Sequence, residues 1–188
     1  MREFIYYSKN ARTSGNFDDP MKAGRLDIVF NVIIQALSLS NLIRKDIHLH
    51  LIFDGPPNAP LHLEFDSRSD IPLSKKDIGG LIKKMLYKWN NKKKNEVFPG
   101  CFIEKKSLVV LLKDLESEGK KICIMDSNGE NIRKINNLEN CVFVIGDHDG
   151  LPKKELKKYK EKFSIGDKIY FSSQVFVIVN HELDLRNY

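Results

Sequence analysis

CVFVIGDHDGLP, residues 141–152, changes character at Gly146. Before it stand Val142, Phe143, Val144 and Ile145, a short β-branched and aromatic run that reads as a buried strand. After it come Asp147, His148, Asp149 and Gly150, polar and too compact for anything but a loop. SIGDKIYFSSQVFVIVNHELDL, residues 164–185, repeats the design. A glycine loop at Gly166 leads into an expected strand over residues 168–171. Ser172 or Ser173 is then placed to cap an apolar final helix that reaches about Leu185. In open α/β sheets, ligands gather outside the carboxyl ends of strands. Both glycine-punctuated strand ends are therefore candidate ligand loops.

Upstream, strands and helices alternate. Residues 2–7 read as a first strand. Leu26, Val29, Phe30, Ile33, Ile34 and Leu37 recur at helical spacing and predict an amphipathic helix over about 24–43. Residues 48–53 and 61–65 read as strands around the dense turn at 54–58, forming a hairpin. A helix is expected over 74–89, and a basic loop over 90–95. Residues 101–103 read as a short strand, and 107–117 as a helix closed by Gly119. A strand over 121–125 and a helix over 152–163, opened by Pro152, complete the series. This alternation predicts an α/β fold with a mostly parallel sheet flanked by helices. At 188 residues the chain fits a single domain with a sizeable core.

Hydrophobic residues make up 41% of the chain, ordinary for a folded soluble protein. No apolar run reaches membrane-spanning length, and residues 1–13 contain no stretch of signal-peptide length, so a cytoplasmic location is expected. Cys101, Cys123 and Cys141 are too widely spaced for a disulfide framework or a zinc pattern and read as buried small hydrophobes. His148 has no second histidine at ligand spacing, so no metal is expected there. The net charge is +6, and lysines cluster, most densely over 153–162. Such a surface permits nucleic-acid binding. It equally fits the lysine-rich surface of a heat-adapted protein.

The GDHDG loop (146–150) and the FSSQV and NHELD segments (171–175, 180–184) resemble the carboxyl-terminal half of the SPOUT-class RNA methyltransferases. ICIMDSNGE (122–130), AGRLDIVFNVI (23–33) and LIFDGPPNAP (51–60) extend the resemblance along the whole chain. Within the class it is to the archaeal family that methylates N1 of pseudouridine 54 in the T-loop of tRNA. The resemblance implies S-adenosylmethionine as cofactor, held by three strand-end loops of a trefoil knot within about 120–188. Threaded chains are rare, so the knot is an expectation from the resemblance alone. Residue by residue, it places Met125 in the first loop and Gly146 with Asp147 and His148 in the second. The third takes Ile169, Tyr170, Phe171, Ser172, Ser173 and Gln174. Relatives often carry a cysteine where Gln174 stands, which argues against a thiol at that position.

Methyl transfer to N1 of pseudouridine requires removal of the N1 proton. A carboxylate can accept it, and a cation can stabilise charge on the uracil oxygens. Asp27 and Arg25 are the candidates. Two positions apart, they do not face one another on a regular helix, but both stand in its first turn. A first-turn acid also serves simply to offset the helix dipole. Arg12, Arg44, Lys45, Arg68, Lys75 and Lys76 are candidate phosphate partners, and Asn58 could present an amide near the base. The final helix carries Val175, Phe176, Val177, Ile178 and Val179 in succession, so both its faces should be covered. The class implies a homodimer through this helix, with residues 180–182 near the contact. Two alternatives stay open: a sibling enzyme acting on pseudouridine in rRNA, and a basic RNA-binding module without turnover.

Overall fold

The computed structural model describes residues 1–90 and 93–188. The chain runs β1 (Arg2–Ser8), α1 (Leu26–Leu37), β2 (Ser38–Leu39), β3 (Leu42–Ile43), β4 (Ile47–Phe53), β5 (Leu61–Asp66) and α2 (Lys75–Lys88). It continues through β6 (Asn95–Phe98), β7 (Cys101–Glu104), α3 (Leu108–Ser117), β8 (Lys121–Asn131), β9 (Cys141–Gly146), β10 (Lys162–Ser164) and α4 (Ser172–Leu185). Eight strands form one sheet in the order β10-β8-β9-β1-β4-β5-β7-β6. Pairing is parallel from β10 to β4 and antiparallel from β4 to β6.

The central strands are apolar because both of their faces are covered. Phe4 and Tyr6 of β1 face α1, α2 and α4, packing in one core with Leu26, Val29 and Ile33, with Ile78 and Ile82, and with Phe176 and Val179. Ile5 and Tyr7 face the other way, with Val142 and Val144, against Leu108, Leu111, Leu112 and Leu115 of α3. The result is three layers.

The last helix is fastened to the first strand. Arg2 contacts the Asp184 carboxylate at 2.6 Å, and its Nη1 donates to Asn180 Oδ1 at 3.2 Å. Asn180 Nδ2 in turn donates to Ala36 O at 3.2 Å. Asn180 and Glu182 are 1% and 7% exposed.

Four expectations need correction. The helix expected over 24–43 ends at Leu37. Ser38 turns extended and sends its hydroxyl back to Ile34 O at 2.6 Å, and the chain reverses through Asn41 at φ 62° to pair β2 with β3. Side-chain bonding of this kind competes with helix continuation. The helix expected over 152–163 is a series of turns. Only Leu156 and Tyr159 are buried before Phe163, too narrow a stripe to hold an amphipathic helix against a core. Residues 168–171 form no strand: Ile169 and Phe171 are 92% and 77% exposed. The parallel edge strand is β10, a few residues earlier, against β8. Finally, the cap of α4 is Phe171 rather than a serine. The basic loop expected over 90–95 includes residues 91 and 92, outside the described residues, and Asn95 already opens β6.

Candidate functional site

Past the carboxyl ends of β8 and β9 lies a cavity of about 760 Å³. Met125 and residues 126–128 of β8 form one wall, and Gly146, Asp147, Gly150 and Leu151 another. Residues 164–166, Lys168, Ile169, Tyr170, Ser172 and Val175 form the third. Gly146 makes the tight loop beside the cavity possible. A Cβ there would stand 2.8 Å from Gly150 C and 2.9 Å from Leu151 N, so any side chain would push the loop open. Gly150 N–H closes the turn on Asp147 O at 3.0 Å.

Asp147 ties this loop to the end of β1. Its carboxylate accepts from Ser8 Oγ at 2.7 Å, from Lys9 N–H at 3.1 Å and from Asp149 N–H at 2.8 Å. The Ser172 hydroxyl donates to Gly146 O at 2.7 Å, joining the start of α4 to the same loop. Gln174 Oε1 accepts from Phe171 N–H at 3.0 Å and so closes the helix start. Of the expected ligand-loop residues, Met125, Gly146, Asp147, Ile169, Tyr170 and Ser172 line the cavity, whereas Phe171, Ser173 and Gln174 do not. His148 is exposed beside Asp149.

The GRLD segment meets a second loop at the same edge of the sheet. Gly24, at φ 71°, lies so close to Asn10 O that a Cβ would fall 1.7 Å from it. Arg12 N–H donates to Ala23 O at 3.1 Å, and Gly55 N–H to Ala11 O at 3.1 Å. The Thr13 hydroxyl donates to Gly55 O at 2.8 Å, and the Asn58 amide to Thr13 O at 3.0 Å. Asn58 therefore acts as a clamp between loops. Residues 9–13, 23–27 and 54–58 form one platform.

Arg25 is not helical: it sits in the left-handed region at φ 62°. That turns its guanidinium onto Asp27, with Nε to Oδ1 at 2.9 Å and Nη2 to Oδ2 at 3.0 Å. The two do face each other, because only Asp27 obeys helical spacing. The Arg25 bond holds the Asp27 carboxyl below the usual carboxylate range. Burial raises the Tyr6 phenol far above its ordinary value, and Asp147 and Asp27 both add to the rise. One phenol thus senses the GRLD carboxylate and the loop after β9 together.

The expected phosphate partners are scattered. Arg44 is 9% exposed and bonds both Asp184 oxygens, at 2.9 and 2.6 Å. Lys45 pairs with Asp70 and Arg68 with Asp66. Lys75 and Lys76 are exposed at the start of α2. Arg12 Nε is buried without a hydrogen-bond partner. Sequence reasoning did not place Lys153, Lys157, Lys160, Lys162 and Lys168, or Asp126, Ser127 and Asn128, at the cavity they line. The lysine cluster over 153–162 was visible, and its missing apolar stripe was the sign that it was not a helix.

All 188 residues match a family model described as "Putative SAM-dependent RNA methyltransferase". The tRNA (pseudouridine(54)-N(1))-methyltransferase of Methanococcoides burtonii is 32% identical, over 98% of this chain and 96% of its own. The enzyme of the same name from Thermococcus onnurineus is also 32% identical, over 98% and 97%. Among solved structures, Archaeoglobus fulgidus Nep1 bound to S-adenosylhomocysteine superimposes with a TM-score of 0.68 at 16% identity, covering 100% of this chain and 99% of that one. The SpoU methyltransferase AviRb of Streptomyces viridochromogenes, in complex with AdoMet, gives 0.51 at 10% identity, over 99% and 58%. These structural likenesses establish the SPOUT-like α/β fold. With the family match running from end to end, the chain belongs to the S-adenosylmethionine-dependent RNA methyltransferases.

Proposed function

We propose that this chain methylates N1 of pseudouridine 54 in the T-loop of tRNA. The observation that carries the reading is the near-complete alignment, at 32% identity, with enzymes of that name. The site fits the cofactor of the family. Its cavity is of small-molecule size, and the absent Cβ of Gly146 lets the 146–151 loop fold tightly beside it. Met125, Gly146, Asp147, Ile169, Tyr170 and Ser172 would hold S-adenosylmethionine, with Gln174 closing the start of α4 beside them through its bond to Phe171 N–H. When bound, it supplies a methyl group already activated on a sulfonium.

The chain's own tasks are then alignment and proton removal. Alignment of two reactants is worth roughly 7–11 kcal/mol at best. Asp27 accepts the N1 proton, and Arg25 keeps that carboxylate ionised and oriented while offering a cation to the uracil oxygens. A target base in structured RNA must be unstacked to reach such a pocket. Arg12, Lys75 and the lysines at the cavity mouth take the neighbouring phosphates. Lys45 and Arg68 stand at the opposite end of β1, paired with Asp70 and Asp66, and Arg44 is committed to Asp184.

The path of the chain supports a knot. After β9 it returns past β8 to pair on that strand's opposite edge as β10. A homodimer through α4 is supported by Phe171, Val177 and Leu185, all exposed on the isolated chain. No helix among the described residues is long and apolar enough to cross a membrane, and the proposed tRNA substrate supports a cytoplasmic location.

The test is mass analysis of nucleosides after incubating labelled donor with unmodified T-loop RNA, with pseudouridine-54 RNA, and with an rRNA hairpin containing pseudouridine. A gain of one methyl on pseudouridine 54 alone is expected. Methylation of the rRNA hairpin instead would move the enzyme to the sibling activity, and no donor binding at all would leave a binding module.

A further inference from the structure

A second cavity, of about 550 Å³, lies between α3 and the strands β1, β4 and β5. It shares no lining residue with the cofactor cavity and sits at the opposite end of β1, beside Glu3. Three imidazoles and three carboxylates converge there, paired directly across strands. Glu3 stands opposite His48, His50 opposite Glu64, and His62 opposite Glu104. His50 and His62 are 3% and 1% exposed.

The hydrogen-bond count within this row does not close. His62 Nδ1 lies 3.0 Å from Glu104 Oε1, and His50 Nε2 lies 3.0 Å from Glu3 Oε1. Both carboxylates are ionised, since Lys106 and Lys120 pair with them at 3.0 and 2.7 Å. An ionised carboxylate only accepts, so both outer nitrogens must donate. Two neutral rings then turn lone pairs toward each other at His50 Nδ1 and His62 Nε2, which stand 2.8 Å apart. A positive centre must lie between them, either a proton or a metal ion.

Three features favour the metal. Each inward nitrogen belongs to a ring whose other nitrogen is backed by a carboxylate, the arrangement that orients histidine ligands on zinc. Glu64 adds an oxygen, and the ligand atoms of His50, His62 and Glu64 all lie within 4.8 Å of one another. Glu64 Oε1 stands 3.0 Å from His48 Nε2 and its Oε2 pairs with Lys94, and a carboxylate oxygen with one such partner still has a second lone pair to give. Tetrahedral zinc with Zn–N near 2.0–2.1 Å needs the two nitrogens about 3.3 Å apart, a small ring rotation from the present contact.

We infer that His50 Nδ1, His62 Nε2 and a Glu64 carboxylate oxygen form a site for a zinc-class divalent ion, with solvent from the cavity completing a tetrahedron. The ion cross-links the β4–β5 hairpin and takes no part in methyl transfer. Mixed nitrogen and oxygen donors suit zinc or cobalt and disfavour magnesium and calcium.

The experiment uses the full chain without an affinity tag, stripped with chelator and titrated with zinc, cobalt or magnesium. One equivalent of zinc is expected to bind and to raise the unfolding temperature. Cobalt should give the visible absorption of a tetrahedral site, and magnesium should do neither. His62→Gln should abolish the cobalt band. Should that variant fail to fold, Glu64→Gln keeps both rings and should weaken zinc binding by roughly tenfold or more. S-adenosylmethionine binding should be the same with and without zinc. A wild-type chain that neither takes up zinc nor shifts its unfolding temperature would show that a proton bridges the rings, and wild-type affinity in Glu64→Gln would equally overturn the assignment.

Discussion

Asp27 illustrates how one backbone angle decides a side chain's chemistry. Because Arg25 is left-handed, its guanidinium reaches a carboxylate that helical spacing would have kept from it. The pairing keeps Asp27 ionised and fixes its direction, at some cost in basicity. Asp27→Asn keeps the shape and removes the proposed proton acceptor. Turnover on pseudouridine-containing tRNA should fall roughly a hundred- to ten-thousand-fold, while cofactor affinity by calorimetry stays nearly unchanged. Equal single-turnover rates in variant and wild type would remove Asp27 from the chemistry. At this scale the sequence was most informative where sterics leave one choice. Gly146 ends an apolar run, and its loop folds back as that break implies. The Arg25–Asp27 contact was hidden, because nothing local marks an arginine for the left-handed region. Asp126, Ser127 and Asn128 were hidden too, since they line the cavity only through strand pairing.

At the scale of elements, α4 depends on residues far from it in sequence. Asp184 accepts two bonds from Arg44 and also contacts Arg2. These guanidiniums, Arg44 foremost, hold its carboxyl at about 2, below the ordinary value of 3.8. A depressed carboxyl stabilises the fold fully above its unfolded pKa and loses that contribution as pH falls through the folded one. Asp184→Asn should therefore lower the unfolding temperature at neutral pH by on the order of a few degrees, a modest figure because the group is partly exposed to solvent. The gap between variant and wild type should close as pH falls from about 4 to about 2. Thermal unfolding across that range checks it, and a gap independent of pH would deny the ion pairs their role. The same non-locality explains which elements could be read in advance. β1 and β9 carry continuous apolar runs, and β4 alternates His48, Leu49, His50, Leu51, so a short window detects all three. β10 is three residues, Lys-Phe-Ser, defined by pairing with β8, and no period fits in so short a span. The segment over 152–163 has helix-forming lysines and an N-terminal proline, yet too little apolar surface to dock a helix.

Over the whole molecule, apolar exposure is concentrated at the carboxyl-terminal end. Ile169, Tyr170, Phe171, Val177 and Leu185 are each more than 40% exposed, within the stretch that borders the cavity at Gly146 and forms α4. Single exposed apolar residues need no explanation, but a concentration of them marks an interface. The inward face of α4 is already occupied by Phe176, Val179 and Leu183 against the core, so the outward face is what remains for a partner. A twofold contact between two copies of α4 is the simplest closed solution, and it would also bring cover to the exposed cavity wall at Ile169 and Tyr170. Val177→Asp places a charge on that outward face without touching the core. Wild type should sediment as a dimer and the variant as a single 21.7 kDa chain, with tRNA methylation reduced in the variant. Circular dichroism should be unchanged, since Val177 is 42% exposed in the lone chain. Wild type that sediments as one chain at micromolar concentration would mean that the apolar stretch serves the RNA or the cofactor directly. In that case Val177→Asp should weaken binding of one of those ligands with no change in mass.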